Sequence, residues 1–471
     1  MPIGVEQNRG ASVAETEAKP ERVPHRRYAP IPSFRDPRTL AEWYGDEPET
    51  CKRDWRRIWP ILLHCGVLLA VFYSYHLEWP AFRKIATLCF VALPFHYLAP
   101  YRFKKPLFTA ISILGLVLVF GATTGAIVLA FSAALIGIAI APIRWSIRAL
   151  TIAAIAVAAA IAQTRVVAGS PFETVWPVLG TMFMFRMIIF LYEIKHSKKR
   201  ESLVDVLGYF FILPNYCFLL FPVIDYGAMR RGYFASEIHS LQRVGLRLIF
   251  RGAVQMLAFR IVYHDLWIAP EEVAGAATLV RHLIANYLLY LHVSGQFHTA
   301  CGMLHLFGYQ LPETHHNYLL ASGFTDYWRR INIYWKDFMI RLVFNPVAFR
   351  LKAWPRPAAL AVATIAVFVA TWALHGYQSF WIRGSWGFRA QDALFWGILG
   401  LLVLINIRFD LNRKGSSSRV RRCGAGGIAL RALKIAATFV AITVLWSLWN
   451  CPSLSAWGAM FGRAWKGGIA S

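Results

Sequence analysis

Long apolar runs recur along this chain with little charge inside most of them, and that restricts its fold more than any other feature. Twelve runs stand out: Ile58–Leu77, Ile85–Leu98, Leu107–Phe120, Ala122–Ala141, Leu150–Gln163, Val175–Ile194, Val204–Ile224, Leu246–Ile268, Ala274–Val293, Ala358–His375, Ala393–Ile407 and Ile428–Trp449. A helix needs about 20 apolar residues to cross a bilayer, and the shorter runs fit only if tilted, re-entrant or buried behind others. In lipid every backbone N–H and C=O must find its partner within the protein, so such runs close their own bonds as helices. The chain is 57% hydrophobic and only 16% charged, with more apolar surface than a soluble core of this length would bury. The expected fold is an all-α, polytopic transmembrane bundle of roughly 10–12 spans. Residues 1–57 form a polar tail, 58–203 the N-terminal membrane helices, 204–380 a core richer in polar groups, and 381–471 the C-terminal helices.

The net charge of +25 would suggest nucleic acid in a soluble protein. Here the cations sit at the ends of apolar runs, in Lys52–Arg57, Lys195–Arg200 and Arg413–Arg422. That is the pattern of loops facing anionic headgroups, so membrane lipid is the expected partner and nucleic acid is excluded. The same rule puts the N-terminus in the cytoplasm. The tail lacks the apolar core of a signal peptide and reads as a disordered or loosely docked segment. The Gly/Ser-rich stretch Asn412–Gly427 reads as a loop before the last span. Seven cysteines are scattered without a Cys-x-x-Cys pair and indicate neither a disulfide framework nor a zinc site. No internal repeat is evident, which weighs against transporter folds built from duplicated halves.

Between Arg281 and Tyr377 polar groups appear at membrane depth: His282, Asn286, His292, Gln296, His298, His305, Asn332 and His375. Thr325–Lys336 concentrates aromatics and cations around one amide. At helical spacing Trp328, Asn332, Trp335, Met339 and Leu342 share a face, and an amide on an apolar stripe needs a partner. His375 closes an apolar run and precedes Gly376, which suits a helix C-cap. It reads either as an interfacial anchor or as a buried neutral imidazole able to accept a proton. His298, Cys301 and His305 share a helical face, but zinc would want further ligands close by, so polar packing or cavity lining is favoured and no metal is expected. The His315-His316 pair reads as a loop.

These residues resemble a known pattern. Gly295–Pro346 looks like the core of the membrane-bound O-acyltransferase family, nearest to its bacterial alginate O-acetylase and teichoic-acid D-alanyl transferase branch. His292–Gly302 resembles its "FSG…G" helix, Leu306–Glu313 its "LLGFxLPEN", Ser322–Arg330 its "xSFTDFWRR", and Trp372–Gly376 its "LWHG". Tyr209–Pro214 with Phe221-Pro222 is similar to its "FFPTxxxGPI". The resemblance covers about Val204–Tyr377. Two departures stand out. The alginate-type branch has His where this chain has Asn332, Asn there being typical of other branches such as the lipid and sterol acyltransferases, and Gln296-Phe297-His298 replaces Tyr-Ser-Asp.

The resemblance implies an O-acyltransferase of the bacterial cytoplasmic membrane that binds no cofactor. An acyl-CoA or carrier thioester would be the donor, an acetyl group its cargo, and a surface or exported glycan the acceptor. His375 would take the hydroxyl proton, while Asn332 would orient the acceptor or polarise the thioester. No Ser or Cys there has an adjacent base, so direct attack is expected rather than an acyl-enzyme. Arg329 and Arg330 would hold phosphates of the donor or anchor headgroups. Trp328 and Trp335 would wall the cavity, and Gln296 and His298 would line the substrate path. Accessory proteins are compatible with this picture. Asn332 favours a second reading, with a lipid or other hydrophobic alcohol as acceptor. A transporter is a third reading, against which stands the concentration of polar groups in one block. Intact Asn332 and His375 argue against a fourth, a catalytically dead assembly subunit.

Overall fold

The computed structural model describes residues 48–196, 201–213, 225–414 and 425–469. The tail up to residue 47, the basic loop residues 197–200, the motif residues Pro214, Phe221 and Pro222, and Cys217 and Cys423 lie outside the described residues.

The chain is built of helices. Among the described residues the only β pairing is a bridge between Tyr233 and Tyr309. In order the helices are α1 (Trp55–Ser74), α2 (Pro80–Leu98), α3 (Tyr101–Ile140), α4 (Trp145–Gln163), α5 (Phe172–Val178), α6 (Met184–His196), α7 (Leu203–Phe210), α8 (Tyr226–Gly232) and α9 (Ile238–Ile261). There follow α10 (Ala276–Leu288), α11 (Leu291–Leu306), α12 (Phe324–Arg330), α13 (Ile333–Met339), α14 (Asn345–Arg350), α15 (Arg356–Arg383), α16 (Ala390–Lys414), α17 (Ala425–Asn450) and α18 (Leu454–Ile469).

Seven helical segments among the described residues are long and apolar enough to cross a membrane: Trp55–Ser74, Tyr101–Ile140, Trp145–Gln163, Phe172–Lys195, Arg356–Arg383, Ala390–Asp410 and Gly426–Asn450. The protein is therefore a multi-pass membrane protein. The other apolar runs take different forms. Leu107–Phe120 and Ala122–Ala141 join into α3, broken only at Gly121, whose φ of 80° is open to glycine and strained for other residues. The run from Leu246 lies in α9, which carries Arg243, Arg247, Arg251 and Arg260. Ala274–Val293 is split where α10 ends and α11 begins.

Several boundaries differ from the sequence expectation. Order starts before residue 58: Asp54 accepts the Arg56 backbone N–H at 2.9 Å and caps α1, and Cys51 is buried. Gly376 does not cap a helix, because α15 continues to Arg383 and ends on Gly384, at φ 72°. A buried glycine inside an apolar helix is tolerated where its neighbours hold the turn, and the left-handed position fell eight residues later. The loop between the last long helices is also shorter than Asn412–Gly427, since α16 runs to Lys414 and α17 starts at Ala425.

The core is centred on α9 and α11, which run antiparallel. His298 Nδ1 lies 2.8 Å from Gln255 Oε1 across this interface, and nearly every residue from Ser294 to Leu306 is buried. α15, α16 and α17 form a second packed group, with α12 seated on α16 through Thr325, whose backbone N–H donates to Asn406 Oδ1 at 3.2 Å.

Candidate functional site

Trp328, Asn332, Trp335, Met339 and Leu342 do not share one continuous helix. α12 stops at Arg330 and α13 starts at Ile333, with Asn332 between them in the left-handed region at φ 40°, ψ 62°. After Met339 the chain widens into a π-helical turn, Ile340–Phe344, yet Leu342 still packs in one apolar cluster with Trp335 and Met339, which Trp328 also joins. The physical reason for the break is local. Asn tolerates the left-handed conformation better than most residues, and its short amide competes with the helix for backbone bonds. Asn332 Oδ1 accepts the Trp335 backbone N–H at 3.3 Å and so caps α13. A loop clamps the break from outside: the His316 backbone N–H donates to Arg330 O at 2.9 Å, and that of Ile333 donates to Thr314 O at 2.8 Å.

Trp335 links this break to His375. Its backbone carries the Asn332 bond, and its indole meets the His375 ring edge-on, with centroids 5.4 Å apart at 77°. The indole Nε1–H points to Thr371 Oγ1 at 3.4 Å. His375 Nδ1 lies 2.8 Å from the Thr371 carbonyl oxygen one turn earlier. A carbonyl only accepts, so Nδ1 must carry the proton and Nε2 of the neutral ring keeps its lone pair. Trp396 and Trp449 close the other sides, at 4.8 and 6.0 Å. Trp449 is itself fixed by donating Nε1–H to Asp392 Oδ1 at 2.6 Å. The result is a half-buried imidazole with one committed nitrogen and one available nitrogen, ringed by indoles and adjoining the segment that Asn332 caps.

The other sequence candidates distribute differently. Trp328 packs in the wall, 4.8 Å from Phe368 and 6.5 Å from Trp396. Arg330 donates Nε–H to Asp326 Oδ1 at 2.7 Å, whereas Arg329 is exposed. Partial burial pushes the Asp326 carboxyl up, and hydrogen bonds from Arg330 and Ser322 more than offset it, so the net shift is downward. Its charge thus holds the Arg330 guanidinium at the end of α12. His298 is fully buried, with Nδ1 facing Gln255 and Nε2 3.1 Å from the His315 carbonyl oxygen. A neutral ring satisfies both if Nε2–H donates and the Gln255 amide is turned to donate to Nδ1. His305 is similarly occupied, by Cys301 O at 2.9 Å and the Leu311 N–H at 3.4 Å. Among the described residues no three His, Cys, Asp or Glu side chains gather in a metal-holding group. His315 is a buried loop residue whose Nε2 lies 2.9 Å from the Tyr290 hydroxyl, and His316 is exposed.

Gln296 stands apart from His375. Its Nε2 donates to Glu78 Oε2 at 2.9 Å, in a separate cluster with His292. His282 and Asn286 belong to helix packing, through Ile268 O at 2.8 Å and Asn450 Nδ2 at 3.1 Å.

Sequence reasoning missed Thr371, Trp396, Trp449 and Asp392. Thr371 was discoverable, since a side chain four residues after a carbonyl on one helix reaches back to it. The two tryptophans come from distant helices, and no local spacing marks them.

Asn332 has a conformational role and a side-chain role that substitution separates. Asn332→Ala is expected to destabilise the protein by about 1–2 kcal/mol, through the left-handed backbone and the lost cap. Asn332→Gly keeps the backbone unstrained and costs only a few tenths of a kcal/mol or so. Thermal unfolding in detergent reads this difference. Equal midpoints for both variants would contradict the strained-cap account.

No family model matches the chain, and no curated protein matches it.

Proposed function

We propose that this protein is a membrane-embedded O-acyltransferase that moves an acyl group, acetyl in the simplest case, from a thioester to the hydroxyl of a surface or exported glycan. The observation that carries the reading is the state of His375: Nδ1 is tied to the Thr371 carbonyl at 2.8 Å, leaving Nε2 as a proton acceptor in an aromatic enclosure. The motif resemblance to the membrane-bound O-acyltransferases supports the same assignment at the same residue.

The chemistry follows from that ring. The acceptor O–H gives its proton to His375 Nε2 as its oxygen attacks the thioester carbonyl. The C–S bond then breaks, the new ester remains on the acceptor, and the imidazolium returns the proton to the departing thiolate. The products are an ester and a free thiol, with no acyl group left on the protein. Asn332 has its oxygen committed to Trp335 N, so its Nδ2–H₂ is the part free to donate to a carbonyl or acceptor oxygen. The tryptophans exclude water, which would otherwise hydrolyse the donor. Arg330, held by Asp326, is less suited to gripping donor phosphates than exposed Arg329.

A bacterial cytoplasmic membrane with a cytoplasmic N-terminus fits this reading, since acyl-CoA is made in the cytoplasm and the cations flank the spans. The second acceptor class, a lipid or other hydrophobic alcohol, is favoured by Asn332 at the position where alginate-type relatives carry His. Membranes containing the protein, incubated with labelled acetyl-CoA and separated into organic and aqueous polymer fractions, distinguish the two. Label in polymer that depends on His375 supports the glycan. Label in the organic phase moves the acceptor to lipid, and His375-independent label in both overturns the proposal.

A further inference from the structure

The second polar cluster lines a cleft of about 400 Å³ between the α1–α2 turn and helices α9 and α11. α1 and α9 run side by side in the same direction. Arg57 Nη1 lies 2.6 Å from Glu237 Oε1 where they start, and the cleft opens where they end. It therefore sits at the far end of the spanning helix α1 from that ion pair.

The floor is a carboxylate taken out of solvent. The Glu78 side chain is 2% exposed, with Oε1 2.5 Å from His292 Nε2 and Oε2 accepting from Gln296 Nε2 at 2.9 Å. His292 is pressed in turn against Phe259, with ring centroids 4.5 Å apart at 17°. The turn that delivers Glu78 is strained: His76 and Glu78 both have left-handed backbones, at φ 47° and 64°. Conformations of this kind persist where the surroundings over-determine them, and they concentrate at ligand clamps.

The cations point to the ligand. Arg83 and Arg260, both half-buried, line the cleft together, and no carboxylate pairs with either among the described residues. Arg83 Nη1 donates to the Glu78 carbonyl at 3.1 Å, and its guanidinium lies 5.8 Å from the Tyr73 ring centre. Glu78 pairs with neither of them, since its carboxylate oxygens face His292 and Gln296. Two half-buried guanidiniums without a paired carboxylate outnumber the single Glu78 charge and favour an oxyanion, and the several oxygens of a phosphate can occupy more of two forks than a carboxylate can. Beside them Phe259, Tyr263 and exposed Trp79 offer apolar surface.

We propose that this cleft binds a phosphate-bearing ligand, its phosphate held by Arg83 and Arg260 and its apolar part laid against Phe259 and Tyr263. A lipid headgroup and a soluble phosphate share this chemistry, and the test separates them. The full-length protein in neutral detergent is titrated with inorganic phosphate, with short-chain phosphatidylglycerol, and with diacylglycerol of the same chain length, and its thermal midpoint is followed. Saturable stabilisation by phosphatidylglycerol but not diacylglycerol is expected, weakened roughly tenfold in Arg260→Gln and in Arg83→Gln. Stabilisation by phosphate as well identifies a soluble ligand. Stabilisation by the lipid alone identifies a headgroup. Tyr263→Ser, at the exposed wall, is expected to weaken the lipid and leave phosphate unaffected, and it serves if an arginine variant does not fold. No saturable shift with either phosphate compound, or equal shifts in wild type and all three variants, overturns the site. Binding is read rather than turnover, so this outcome is independent of acyl transfer.

Discussion

His375→Phe is expected to lower the rate of thiol release from acetyl-CoA by about 10²–10⁴-fold, the usual worth of a positioned general base. Phenylalanine is the sharper substitution, because the imidazole also fills space: Trp335, Trp396 and Trp449 all pack on it within 6.0 Å. Alanine would leave a gap among those indoles, and lost rate could then reflect a collapsed wall. Phe fills the space with a somewhat larger aromatic ring and removes both nitrogens. His375→Gln is the complementary test, since it keeps a polar side chain near Thr371 but offers no base. Both variants are expected to lose turnover while the thermal midpoint moves little. Retained activity in His375→Phe would reduce His375 to packing and remove the basis for acyl transfer.

The largest structural effect is expected at the α9–α11 seam. Gly245 and Gly252 on α9 face Gly302 and Gly295 on α11, letting the two backbones touch as small residues do between membrane helices. A Cβ on Gly302 would stand 2.6 Å from the Gly245 carbonyl oxygen and 2.9 Å from the Ile249 backbone N, neither of which can swing away. Gly302→Ala is therefore expected to cost about 1–3 kcal/mol, by forcing the helices apart. The shift would spread along α11, moving His298, buried at 0% exposure, away from Gln255. Gly66→Ala in α1 is the control: nothing lies within 4 Å of its added Cβ, and the better helix propensity of Ala should leave stability equal or raise it by up to about 1 kcal/mol. Detergent-solubilised variants compared by thermal unfolding and by the fraction remaining monodisperse give the reading. Equal midpoints for Gly302→Ala and wild type would show that the seam is looser than its geometry indicates.

What was legible in the sequence was whatever depends on local pattern. Apolar runs announced helices because the bilayer admits little else, and His375 was visible as a polar residue at the edge of one of them. Helix ends were less legible. At Gly376 the chain had a residue that permits an end, but tertiary packing decides whether the permission is used, and here α15 continued to Arg383. Asn332 was singled out on the mistaken premise of an unbroken helix. Its amide is satisfied by capping the next turn rather than by a partner across the bundle. Gln296 shows the opposite failure. Sequence proximity placed it with the core motifs, while its true partner, Glu78, lies 218 residues away on another turn. The indole enclosure from α16 and α17 was invisible for the same reason: contacts between distant spans leave no periodic trace.

The most direct test of acyl transfer at His375 is a stoichiometric one on purified protein in lipid vesicles supplied with labelled acetyl-CoA and a membrane extract as acceptor source. Thiol released and ester formed are measured together over time, for wild type and His375→Phe. Equal amounts of thiol and ester in the wild type, no label retained on the protein, and loss of both products in the variant are the expected results. Thiol and ester produced at the same rate by wild type and His375→Phe would contradict the account.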